Sequence, residues 1–233
     1  MNKLFSLILW ITGGCFFLVS FIILAVCLII LPHQKTFGVA QSLFAVLLKL
    51  MGIKLIVTGQ EQINQEQTYL IMGNHQSLFD LFVIPCAIPL CFTGIEAAYH
   101  FSIPIWGYLI RKWGCIPIER KNLKKAKQSL EQARQTLLNG ISIAVLPEGH
   151  RTRNGKIAPF KKGPFHLAKN TRATILPFGI KGSFEFQQKG SLNLYPGVVR
   201  VKIGKPIPYK EYKTLSIEKV RDQLFMKITE LSQ

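Results

Sequence analysis

The chain is poor in acidic residues, with 12 Asp and Glu against 29 Lys and Arg among its 233 residues. It has five cysteines, and none of them forms a C-x-x-C pair or a Cys/His cluster. That excludes a zinc site and a disulfide framework as organising devices. No G-x-S-x-G elbow, phosphate-binding P-loop or dinucleotide fingerprint occurs, so a serine nucleophile of that type and a nucleotide cofactor are not expected. Internal repeats and low-complexity stretches are missing too. The basic residues have no interleaved aromatic platform, which places a nucleic-acid partner well behind the other readings.

Charge is also lacking from residues 4 to 32, where Leu, Ile, Phe and Val dominate. As a straight helix, about 29 residues reach about 44 Å, longer than the ~30 Å hydrocarbon layer of a bilayer. The run is about twice the usual signal-peptide core and ends in no small-x-small cleavage site, so it reads as a retained membrane helix. Gly13-Gly14 marks a possible bend. Only Lys3 precedes the run, while Lys35, Lys49 and Lys54 follow it; if the run spans once, the bulk of the chain lies on the cytoplasmic side (the inner membrane, if the source is bacterial), and a re-entrant or monotopic hairpin would leave it there too. Residues 37 to 51 are apolar again but too short to span, and they read as an interfacial amphipathic helix. The expected division is 1–52 for the anchor and interfacial helix, and 53–233 for a catalytic domain.

After residue 32 stand 28 Lys and Arg against 12 Asp and Glu, a formal excess of +16. Such an excess attracts anionic lipid surfaces and phosphorylated small molecules. Short apolar runs at Lys54–Thr58, Thr68–Met72, Cys115–Ile118, Ile141–Leu146, Thr174–Ile180 and Gly197–Ile203 predict strands. Helices are predicted over 78–88 (kinked or ended by Pro85), over 102–113 with Pro104 in the first turn, and over 121–138, 164–169 and 215–231. The expected fold class is α/β: a single domain with a mostly parallel sheet flanked by helices, preceded by the membrane helix and the interfacial helix.

Three polar clusters each follow a predicted strand: Asn74, His75 and Asp80; Glu119 and Arg120; Glu148, His150 and Arg151. Ligands of open α/β sheets bind beyond the carboxyl ends of the strands, so parallel strands would bring the three clusters to one crevice. His75 is the candidate general base. Asp80, five residues on, can hold its ring, or can cap the following helix as the last residue of Ser77-x-x-Asp80, and one carboxylate can do both. Arg120 and Arg151 suit bidentate phosphate binding. Gly149 permits a tight turn, and Lys161 precedes a helix start where anions bind. Lys124, Lys125 and Lys127 read first as a solvated helix face. A histidine base with no partnered Ser or Cys suits direct transfer of an activated acyl group to a hydroxyl.

N-H-x-x-x-x-D at 74–80, G-C-I-P-I-E-R at 114–120, P-E-G-H-R-T at 147–152 with P-F-K-K-G at 159–163, and I-L-P at 175–177 together resemble, in order and spacing, the four motifs of the glycerolipid acyltransferases of the 1-acylglycerol-3-phosphate acyltransferase type. The resemblance covers about residues 50 to 205. It implies His75 as the base and Asp80 as its partner. It implies that Arg120, Glu148, Gly149, Arg151 and Lys161 bind the glycerol phosphate acceptor and that Pro177 shapes the acceptor or acyl site. His150, Glu119 and Pro117 depart from the usual pattern. The expected reaction moves a fatty acyl group from acyl-CoA or acyl carrier protein to lysophosphatidic acid, giving phosphatidic acid for phospholipid biosynthesis, with no metal or cofactor. Partners are then membrane lipids and the acyl carrier. Rival readings are another lysophospholipid, a lyso-amino lipid or glycerol 3-phosphate as acceptor and, in a different class, a non-enzymatic basic membrane-binding protein.

Overall fold

The structure is a computed structural model, and it describes residues 3–119 and 122–233. Seven strands form one sheet: β1 (Ile53–Thr58), β2 (Tyr69–Gly73), β3 (Phe92–Ala97), β4 (Ile116–Ile118), β5 (Ser142–Val145), β6 (Thr174–Lys181) and β7 (Gly197–Ile203). Their order is β1-β7-β6-β2-β5-β3-β4. β6, β2, β5, β3 and β4 run parallel. β7 is antiparallel to β6, and β1 is parallel to β7, so the sheet is reversed at one side only. All five residues of β2 are buried, as expected of a central strand covered on both faces.

The helices are α1 (Lys3–Ile30), α2 (His33–Leu50), α3 (Asp80–Ala87), α4 (Trp106–Lys112), α5 (Leu123–Leu138), α6 (Gly163–Thr171), α7 (Ser183–Phe186), α8 (Tyr209–Tyr212) and α9 (Ile217–Leu231). One core layer joins α2 and α3 to the sheet through Phe37, Leu47, Leu48, Phe79, Val83 and Phe178. The opposite layer packs α5, α6 and α9 on the other face, around Leu70, Ala133, Phe165 and Leu224. At α5, the Asn122 side chain accepts from Lys125 N–H, satisfying one of the unpaired donors of the first turn.

α1 is long and apolar enough to cross a membrane, and most of its surface is exposed. It contains no bend that breaks it at Gly13-Gly14. Gly13 instead allows close packing, since a Cβ there would lie 2.3 Å from Met51 Sδ. The inner face of α1 is tied to the α/β part of the chain. Trp10 Nε1–H donates to the Leu192 carbonyl at 2.8 Å, and Leu194 N–H donates to Ser6 Oγ at 3.1 Å. Its rings meet Phe82 (from Phe17), Trp106 (from Phe17) and Tyr108 (from Phe21). Leu4, Leu7, Ile8, Ile11, Val19 and Ile22 face outward. The apolar face of α2 turns inward, burying Phe37, Ala40, Phe44, Leu47 and Leu48.

The structure departs from the local expectations at three places. The helix predicted over 102–113 begins only at Trp106. Ile105 takes φ 68° and ψ −67°, and Trp106 N–H donates to the Pro104 carbonyl at 2.7 Å, a three-residue turn that no helix can contain. β3 was not among the predicted strands, because Thr93, Gly94 and Glu96 break its apolar run. It nevertheless lies inside the sheet between β5 and β4. The helix over 78–88 is observed as Asp80–Ala87 and runs through Pro85.

Candidate active site

The strands that precede the polar clusters, β2, β5 and β4, run parallel, so their carboxyl ends open on one side of the sheet. A cavity of about 290 Å³ lies there. His75, Asp80, Gly149, His150 and Arg151 line its polar part, and α4 with Phe37, Phe44 and Phe92 lines its apolar part.

His75 sits in the loop between β2 and α3, and Asp80 is the first residue of α3. A carboxylate at a helix start is favoured by the helix dipole. His75 Nδ1 lies 2.8 Å from Asp80 Oδ2. The same oxygen accepts from Gln76 N–H at 2.7 Å and Ser77 N–H at 3.0 Å. Oδ1 accepts from Ser183 Oγ–H at 2.5 Å. Asp80 therefore orders the turn before the helix and holds the imidazole at once. Its side chain is fully buried, while that of His75 is 19% exposed. With Nδ1–H directed at Asp80, Nε2 is the ring atom left for a substrate proton.

The His75 loop is stitched to the end of β6 and to the segment after it. Asn74 Nδ2–H donates to the Ile180 carbonyl at 2.8 Å, and Ile180 N–H donates to Asn74 Oδ1 at 2.7 Å. Ser77 Oγ–H donates to Gln187 Oε1 at 3.2 Å. On the other side stands Glu148, from the turn after β5. Its Oε1 accepts from His75 N–H at 2.7 Å, and its Oε2 accepts from Ala158 N–H at 2.7 Å. Thr152 N–H donates to the His75 carbonyl at 2.9 Å. Burial raises the Glu148 carboxyl to about 7, against the opposing pull of the two backbone N–H donors. Gly149 has φ 78°, the left-handed region that its turn requires.

The residues expected in the site are divided by the structure. His75, Asp80, Gly149 and Arg151 meet at the cavity. Arg151 has no ion-pair partner among the described residues, which leaves its guanidinium available to an anion. Glu148 is only 1% exposed and lies behind the His75 loop, bracing it. Lys161 is exposed and Pro177 is buried within β6, and neither lines the cavity. Arg120 lies outside the described residues. Ser183 was missed by sequence reasoning, since a serine after a predicted strand carries no local signal. Lys189 was missed as well, as one lysine among many, and it lines the cavity from the loop after α7. Among the described residues no group of three His, Cys, Asp or Glu could hold a metal.

A histidine held by a buried aspartate thus opens on a cavity that is cationic at one part and apolar at another. The profile of the family described as Acyltransferase matches residues 54–181, and the chain belongs to that family. A 1-acyl-sn-glycerol-3-phosphate acyltransferase of Cocos nucifera is 31% identical over 72% of this chain and 54% of its own length. A protein of the same description from Borreliella burgdorferi is 30% identical over 84% of this chain and 80% of its own. The chain spans about half the length of several plant relatives that it matches. Its fold is that of the crystal structure of the 1-acyl-sn-glycerophosphate (LPA) acyltransferase PlsC from Thermotoga maritima. The TM-score is 0.84 at 23% identity, covering 99% of this chain and 97% of the other.

Proposed function

We propose that the chain transfers a fatty acyl group from a thioester donor, acyl-CoA or acyl carrier protein, to the free hydroxyl of 1-acylglycerol 3-phosphate, giving phosphatidic acid. The observation that carries this reading is the His75–Asp80 pair in the lining of a cavity that also contains Arg151 and a wall of apolar side chains. His75 Nε2 takes the hydroxyl proton as the oxygen attacks the thioester carbonyl. Asp80 keeps Nδ1 protonated and stabilises the imidazolium that forms. The leaving thiolate then takes the proton from Nε2, so His75 returns to its starting state. Arg151, with Arg120 and Lys189, supplies positive charge for the acceptor phosphate. Gly149 lets the backbone of its turn come close to the acceptor, and the α4 side of the cavity takes an acyl chain.

α1 supports a membrane location, since its outward row of Leu, Ile and Val is apolar and its inner face contacts the cavity-lining Trp106. In this reading α1 enters the bilayer and the site faces the cytoplasm. Purified protein in lipid vesicles, given acyl-CoA or acyl carrier protein and 1-acylglycerol 3-phosphate, should form phosphatidic acid, and His75→Ala should abolish the product. A His75→Ala protein of full activity would refute the mechanism.

A further inference from the structure

A second histidine–carboxylate pair faces the same cavity. Glu96 lies near the carboxyl end of β3, and His100 follows in the 3-10 segment Ala98–Ser102. Both line the cavity with His75. His100 Nδ1 is 2.6 Å from Glu96 Oε2, and the two side chains are 27% and 16% exposed. The Tyr99 ring lies edge-on to His100 with centroids 4.3 Å apart, so the imidazole is held from two directions. β3 pairs with β4 at Glu96 and Pro117, which sets the pair beside the second motif.

The pair differs from the first dyad in what its carboxylate has left to offer. Asp80 is occupied by four donors. Glu96 Oε2 has one partner, and Oε1 has none among the described residues. On His100, Nε2 is the remaining polar atom. The cavity therefore carries an open acceptor beside a ring nitrogen that accepts when neutral and donates when charged.

The chemistry selects the ligand. A phosphate has acceptors only and would be repelled by Glu96. An ammonium would meet Glu96 favourably, but it has no acceptor for a charged His100 and shares the cavity with His150, Arg151 and Lys189. A hydroxyl is uncharged, donates to Oε1, and either donates to or accepts from Nε2.

We infer that Glu96 and His100 form a subsite that recognises a substrate hydroxyl other than the one acylated. The inference rests on the acyl-transfer chemistry above and deepens it; a polyol headgroup as the source would replace 1-acylglycerol 3-phosphate as the preferred acceptor. The hydroxyl has two possible sources, a hydroxylated acyl chain or a polyol headgroup. Sites built to hydrogen-bond a hydroxyl discriminate strongly against analogues lacking it.

The test is a set of kcat/KM values on wild-type protein in vesicles. One arm compares hexadecanoyl-CoA with its 3-hydroxy form. The other compares 1-acylglycerol 3-phosphate with the matching lysophosphatidylglycerol. The expected result is a preference of at least about tenfold for the hydroxylated member in one arm, which also names the source. In Glu96→Leu and His100→Phe that ratio should fall toward one. Because the readout is a ratio, a general loss of activity in a variant does not move it. Turnover by wild type with no preference in either arm, or a preference that survives both substitutions, overturns the inference and leaves the acyl-transfer reading standing. No turnover of any of the four substrates overturns both.

Discussion

The cavity holds two histidine–carboxylate pairs of nearly the same reach, 2.8 Å for His75–Asp80 and 2.6 Å for His100–Glu96. They differ in support. The Asp80 carboxylate is fully buried and accepts from two backbone N–H groups and Ser183 as well as from the imidazole. The His75 backbone is held on both sides, by Glu148 at its N–H and by Thr152 at its carbonyl. Glu96 and His100 hold one another across a single turn with few further partners. A catalytic base needs its ring fixed to within a fraction of an ångström. A recognition subsite needs open hydrogen-bonding capacity instead. The distance within a dyad says little about its role; the number of groups that lock it says more.

The largest expected effect is at His75. His75→Ala should lower kcat by about 10²–10⁴ on every substrate, the usual worth of a positioned base, whereas substitutions at His100 should alter the choice among substrates. Comparable losses of kcat at both histidines, uniform across the substrate panel, would erase the distinction between them. Asp80→Asn should come next, with a kcat loss approaching that of His75→Ala, because an amide can present N–H to Nδ1 and invert the tautomer.

Glu148 sharpens the comparison further. Glu148→Gln replaces one acceptor oxygen by an NH₂ that faces a backbone N–H, at a cost of about 1–3 kcal/mol for the unsatisfied donor. With the carboxylate behind the loop, kcat should fall while KM for the acceptor lipid stays near wild type. A rise in KM alone would place Glu148 against the acceptor instead. Its titration gives a stability signature. A carboxyl at about 7 in the folded protein, against 4.5 for the ordinary value, retains its proton in a window where the unfolded chain has lost it. Stability should therefore fall as pH rises from about 4.5 to about 7, by up to about 1.4 kcal/mol per unit of difference. Urea melts of wild type across that range should show the slope, and Glu148→Gln should flatten it.

The smallest effect is expected at Ser183. Ser183→Ala removes one of four donors to Asp80, worth about 1 kcal/mol, and should lower kcat several-fold with no change in substrate choice. A wild-type kcat would show that the backbone donors alone hold the carboxylate.

The pattern of agreement follows from how local each signal is. β7 was predicted with its observed bounds, Gly197–Ile203, because its run ends at glycine and polar residues that any window detects. α5 was legible from Ala126, Leu130, Ala133 and Leu137 at helical spacing, with Asn139-Gly140 as a stop. The convergence of the clusters after β2 and β5 required only that neighbouring strands be parallel. β3 was invisible because its sheet position compensates for a glycine and two polar residues, and with it Glu96 was lost as a strand-end residue. The reversed β7 and β1 were beyond reach too, since strand direction leaves no trace in composition.

The sequence by itself determined the apolar N-terminal helix, the alternating α/β pattern and the cationic balance, and it set Asp80 within reach of His75 while leaving its role open between helix cap and ring partner. Those properties depend on residue type and short spacing. The tertiary structure decided which oxygen of Asp80 faces which donor, and that Glu148 turns away from the crevice toward the His75 backbone. It also decided that Lys161 and Pro177 stand clear of the cavity while Lys189, Glu96 and His100 line it. These depend on which segments the sheet order brings together: Ser183 is 103 residues from Asp80 in the chain and 2.5 Å from it in space.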